Sequence, residues 1–173
     1  MVTVLITVLL LTVGVPNMAG FLNDSKVSTH ANDMIGAMTL ARSEAVQRSR
    51  LVTICRSEKP NDAAPQCSNG STNWNAGWIV FAEGSSAPAT VGVFDNGDTI
   101  LYRQDVLPQN VNAQGNLSSL TFNAMGEAAG AVNPAFQFNY SVSGNAKAKR
   151  QVCIGRTGRV RVLQGVNDNA ACN

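Results

Sequence analysis

Histidine occurs once in the 173 residues, at His30, and charged side chains make up only 14% of the chain. With one imidazole and no carboxylate pair, no nucleophile has an identifiable base, which argues against an enzyme. His30 itself lies in a helical stretch and reads as a solvated helix residue. None of the four cysteines stands in a CxxC or beside a histidine, which removes the usual spacing of zinc and thioredoxin-like sites. The formal charge of +2 is too small to mark a nucleic-acid binder, so any such reading rests on where the charges sit. Two stretches are one-sided: Met1 to Val15 holds no charge at all, and no acid occurs between Glu127 and Asp168.

What is present is 45% apolar, enough for one globular core with an extra segment rather than two domains. Cys55, Cys67, Cys153 and Cys172 are even in number and read as structural disulfides. Of the three possible pairings, Cys55 with Cys67 and Cys153 with Cys172 closes two short loops at least entropic cost. Such bridges imply an oxidising compartment outside the cytoplasm.

The uncharged run MVTVLITVLLLTVGV, followed by Pro16, reads as membrane-inserted. Fifteen residues cover only about 22 Å of helix, short of the roughly 30 Å hydrocarbon core. A cleaved signal peptide is the alternative; against it stand the missing positive n-region and a helical pattern that continues past Pro16. Met18, Phe21, Leu22, Ala31, Met34, Ile35, Met38, Ala41 and Ala45 recur at spacings of three and four, predicting one helix of about 50 residues kinked at Pro16. The Met34, Ile35, Met38, Ala41 stripe is that of a helix packed on a sheet. Glu44 and Arg48 are spaced for an i, i+4 ion pair.

After Arg50 short β-rich runs alternate with glycine, asparagine, serine and proline, as in an antiparallel sheet domain. Eight strands are expected: Leu51 to Arg56, Gly77 to Ala82, Thr90 to Asp95, Asp98 to Arg103, Leu117 to Asn123, Ala135 to Tyr140, Arg150 to Ile154 and Arg159 to Leu163. Asn96-Gly97 predicts a type I′ hairpin between the third and fourth. Asp95 and Asp98 flank it, but two carboxylates do not make a calcium loop. No cofactor or metal is expected.

Three segments together resemble the GspH/FimT family of minor type IV pilins and type II secretion pseudopilins: MVTVLITVLLLTVGVPNM, ANDMIGAMTLARSEAVQRSRLVTIC and CSNGSTNWNAGWIVFAEG. The resemblance covers roughly residues 1–105, and ARSEAV with WNAGWIVF is its most specific part. It implies an α+β, pilin-like fold: a long amino-terminal helix, membrane-embedded in its first half, packed on a small antiparallel two-sheet β head. The expected divisions are an anchor over 1–16, an amphipathic continuation over 17–50 and a disulfide-stapled head over 51–173. The family's basic leader, its first phenylalanine and its fifth-position glutamate are not in this sequence, and the resemblance places them just upstream of Met1. It further implies a single-pass subunit of the bacterial inner membrane, head in the periplasm, that packs against other pilins or pseudopilins through its helix and enters a pilus or pseudopilus.

Lys147, Lys149, Arg150, Arg156, Arg159 and Arg161 crowd six cations into fifteen residues, a single-sign block that the net charge conceals. A three-residue loop of Arg156, Thr157 and left-handed Gly158 sets Ile154 opposite Val160 and Val152 opposite Val162 on a buried face. Arg159 and Arg161 then point outward with Cys153, from which Cys172 can pin the tail. An ordinary half-solvated hairpin is one reading. The other is a set of guanidinium groups presented to phosphate oxygens. Gly158 to Arg161, GRVR, is similar to the basic glycine-arginine motif near the end of FimT proteins, a branch associated with DNA capture in natural transformation. That resemblance implies a DNA phosphate backbone as partner. Only Tyr140 lies near enough to stack on a base, so stacking is expected to be minor.

Overall fold

The computed structural model describes residues 2–84, 91–129, 136–142, 145–165 and 172, with side chains described from residue 20 onward except at 145–147. Helix α1 (Val2–Arg48) runs unbroken through Pro16. Val27, Ala31, Met34, Met38, Ala41 and Ala45 are buried because spacings of three and four bring them onto one face. Ile35 packs at the margin of that stripe. Glu44 and Arg48 form the i, i+4 pair, 2.5 Å apart. The helix closes on a left-handed residue, Ser49 at φ 52°. Its amide bonds Val46 O, and the Arg50 amide reaches back to Ala45 O, so two terminal carbonyls are satisfied before the chain turns into sheet. Among the described residues no helix is long and apolar enough to cross a membrane, and the expected anchor falls mostly among side chains outside the described set.

Among the described residues nine strands follow: β1 (Val52–Arg56), β2 (Trp78–Ala82), β3 (Thr99–Gln104), β4 (Val111–Gly115), β5 (Ser119–Phe122), β6 (Ala128–Ala129), β7 (Phe136–Val142), β8 (Asn145–Ile154) and β9 (Val160–Gln164). All pair antiparallel. They build a five-stranded sheet ordered β3-β2-β1-β5-β6 and a four-stranded sheet ordered β4-β7-β8-β9. The buried stripe of α1 lies against both sheets. One core therefore joins Met34 and Met38 to Ile54 and Val80 of the first sheet and to Phe136, Phe138, Val152 and Ile154 of the second. Trp74 caps the aromatic end of it, edge-on to Phe138 at 5.0 Å, with its indole N–H donating to Leu117 O. At about 1.5–3 kcal/mol for each large side chain withdrawn from water, this shared core is the main tie between the layers.

Strands β1 and β2 are buried along both faces. The second covering is a smaller cluster of Cys55, Ile79 and Phe81 with Phe94 and Ile100, closed by the Cys55–Cys67 disulfide. The first predicted pairing is thus present, and so is Cys153–Cys172.

Several expectations change. The segment expected as a strand over Thr90 to Asp95 forms turns from residue 91 on, Thr90 lying outside the described residues, and β3 pairs with β2 instead. Asp98 accepts the Gly84 and Asp95 amides, and Glu83 accepts the Gly92 amide. Those carboxylates take amides a strand ladder needs, and only Gly97 of the Asn96-Gly97 pair has positive φ, which rules out a type I′ turn. Strands β4 and β6 were not expected, and β8 begins five residues before Arg150. His30 is largely covered rather than solvated, its side chain 16% exposed, with Nδ1 3.3 Å from the Asp33 carboxylate.

Candidate nucleic-acid interface

The β8–β9 hairpin forms in the register expected from its alternation. Ile154 pairs with Val160, Val152 with Val162 and Cys153 with Arg161. The loop closes with the Gly155 amide on Arg159 O and the Gly158 amide on Gly155 O. Gly158 has φ 71°, and a Cβ there would stand 2.1 Å from Gly126 O. Glycine is required twice over, by the left-handed backbone and by close approach to the turn before β6. A further bond from the Ala128 amide to Arg156 O ties the tip to that turn. The loop is thereby docked on the first sheet. The apolar side is less closed than expected: Val152 and Ile154 are buried, but Val162 on the edge strand is 40% exposed.

The six expected cations separate into groups. Arg156 at the tip, Arg159 just before β9 and Arg161 within it are exposed. Arg156 and Arg159 meet no carboxylate among the described residues. Lys149 is half-buried and lies on the strand face of Cys153 by alternation. Lys147 lies in β8, but its side chain is outside the described set. Arg150 is held elsewhere. It shares the inward parity of Val152 and Ile154, and its guanidinium lies 2.9 Å from Asp24 on α1, with only 11% of the side chain exposed. In this conformation that ion pair ties the helix to the second sheet and turns Arg150 away from the outward-facing set.

Sequence reasoning missed three neighbours. Arg42 of ARSEAV reaches beneath the hairpin loop, its side chain within 3.3 Å of where a Cβ on Gly126 or Gly158 would stand. Thr157 and Leu163 join Cys153, Gly155, Arg159, Arg161 and Cys172 around a cleft of roughly 100 Å³ on the outer face. The cleft therefore combines guanidinium groups, a hydroxyl, an aliphatic side chain and the Cys153–Cys172 disulfide. Leu163 was legible as sharing the face of Arg159 and Arg161 by its odd position in the strand; Arg42 had no such signal, being more than a hundred residues away.

Within the first sheet a carboxyl group is buried. Glu83 is 5% exposed; its Oε1 accepts from Thr53 Oγ1 and from the Gly92 amide. Because Thr53 donates its one proton to Glu83, Thr121 is the donor in the 2.8 Å Thr53–Thr121 contact. Burial pushes the Glu83 carboxyl above its ordinary 4.5, assisted by the nearby Asp98 and Asp95 charges and opposed by the two hydrogen bonds.

A long amino-terminal helix laid over two antiparallel sheets, with the carboxy-terminal hairpin at one edge, is the architecture of a pilin-like protein. The type IV minor pilin FimU of Pseudomonas aeruginosa PAO1 has the same fold, with a TM-score of 0.61 at 19% identity over 88% of this chain and 99% of that one. The minor pseudopilin EpsH of the Vibrio cholerae type 2 secretion system matches with a TM-score of 0.54 at 12% identity, over 82% of this chain and 99% of that one. A comparison with curated proteins finds no match. The family model described as Type II transport protein GspH matches residues 30–158, and the chain belongs to that family.

Proposed function

We propose that this GspH-family subunit is a minor pilin of a type IV pilus that binds extracellular DNA through its carboxy-terminal hairpin during natural transformation. The observation that carries the reading is the exposure of Arg156 and Arg159 on a rigidly docked hairpin, with no carboxylate against either among the described residues. Arg161 lies on the same face, and Arg42 brings a further cation beneath the loop. Guanidinium groups grouped in this way bind phosphate oxygens without reading base sequence. Before assembly the chain is held in the inner membrane by the segment ahead of residue 17, head in the periplasm; the two disulfides support an oxidising compartment. In the fibre the helix packs against other pilins, and the exposed Phe21 and Leu22 offer apolar surface for that contact.

A second reading is a purely structural minor pilin or type II secretion pseudopilin at the fibre tip that acts only through protein contacts, and the description of the matching family favours its pseudopilin form. Gel shifts with the full chain in neutral detergent separate the two. Wild type should retard DNA at low salt, with log affinity falling by about 0.9 per phosphate neutralised for each tenfold rise in salt. Arg159→Ala with Arg161→Ala should weaken retardation about tenfold or more and flatten that slope. Equal and negligible binding by both proteins favours that second, purely structural reading.

A further inference from the structure

We infer that the cleft beside the Cys153–Cys172 disulfide seats one unstacked nucleotide, so that the site takes single-stranded DNA, or a frayed end, in preference to intact duplex. The inference rests on the DNA-binding reading above and names the form of its ligand.

The argument begins from the composition of the cleft wall. Phosphate-only recognition needs cations on an open surface, as at Arg156, and gains nothing from an aliphatic floor. Here Arg159 and Arg161 line a recess of roughly 100 Å³ whose other lining residues are Leu163, the disulfide-bonded Cys153 and Cys172, Gly155 and Thr157. An apolar floor beside guanidinium groups matches a ligand that has a flat apolar face next to an anion. A nucleotide out of its stack is such a ligand; within a duplex both base faces are covered and only the phosphates remain. The geometry orders the contacts. Cys153 is paired directly across from Arg161, so the disulfide and the guanidinium positions are adjacent across the two strands, about one strand spacing apart. Thr157 in the loop supplies a hydroxyl that can donate to a phosphate or accept from a base edge. Gly155 leaves the loop end of the recess without a side chain.

The recess is also preformed. The loop that bounds it is fixed by Gly158 against Gly126 and by the Ala128 amide on Arg156 O, and its far wall is tied covalently through Cys172. A preformed site loses less entropy when it captures a flexible strand.

The test uses the full chain in neutral detergent and fluorescence anisotropy with three labelled probes carrying the same number of phosphates: a mixed-sequence single strand, the same length of abasic sugar-phosphate strand, and a duplex. The expected result is that the single strand binds about fivefold or more tighter than either of the others, the size of effect that covering part of one base face supplies. Leu163→Ala should bring the single strand down to about the affinity of the abasic strand. Should that variant not fold, the abasic probe on the wild-type protein decides the matter alone. Equal binding of all three probes overturns the nucleotide pocket and leaves DNA binding standing. No binding of any probe overturns both.

Discussion

Glu83 sits where a carboxylate is least comfortable, 5% exposed at the end of a central strand, yet its hydrogen bonds hold the turn at Gly92 to the sheet. Since burial raises its pKa above 4.5 in the folded protein, the folded state binds this proton more tightly than the unfolded chain does. Its contribution to stability is fully present below the unfolded value of 4.5 and is lost as pH rises through the raised folded value. Glu83→Gln keeps an Oε1 acceptor for Thr53 and Gly92 and cannot ionise. In thermal melts the variant should gain most over wild type at neutral pH, and the gap should close as pH falls toward 4.5. A gap that is constant across that range would mean that ionisation of Glu83 has no part in it. Arg150 teaches a related lesson. Counted with the basic block, it belongs by strand parity with Val152 and Ile154 on the inward face, and the fold supplies its partner there, Asp24.

At the scale of elements, the carboxy-terminal hairpin stands or falls with Gly158. Gly158→Ala places a side chain at φ 71° and drives a Cβ to 2.1 Å from Gly126 O. The backbone strain alone costs about 1–3 kcal/mol, and the clash adds to it by undocking the loop from the first sheet. Chemical denaturation should show a loss of at least that size, accompanied by weaker DNA retardation. The hairpin was legible beforehand because an alternation of valine and arginine admits one loop length that sorts the two faces. The α1 stripe and both disulfides were legible for similarly local reasons. Strand β4 was not, because VNAQG carries little β propensity and is a strand only through its pairing with β7. The segment before Asp98 failed the other way: VGVFD has strand-like residues, but the Glu83 and Asp98 carboxylates compete for its amides. The cleft beside the hairpin needed the tail brought back through Cys172, and Arg42 needed the helix laid under the loop; neither proximity is written in any local pattern.

On the scale of the whole molecule, helix and sheets share a single core rather than stacking as separable layers. Unfolding of the head should therefore be one cooperative event. Fluorescence of the buried Trp74 and Trp78, which lie at the junction of both sheets, should change at the same denaturant concentration as the far-ultraviolet dichroism. Two separated midpoints would show that the four-stranded sheet melts on its own.

Continuity between α1 and β1 has a mechanical consequence. The helix passes through Ser49, Arg50 and Leu51 into the middle strand of the five-stranded sheet, which is hydrogen-bonded on both sides to β2 and β5. Tension applied along the helix enters the head at its best-anchored strand, where yielding means shearing two ladders at once instead of unzipping an edge. The hairpin lies in the other sheet, so a load applied there reaches β1 through the shared core.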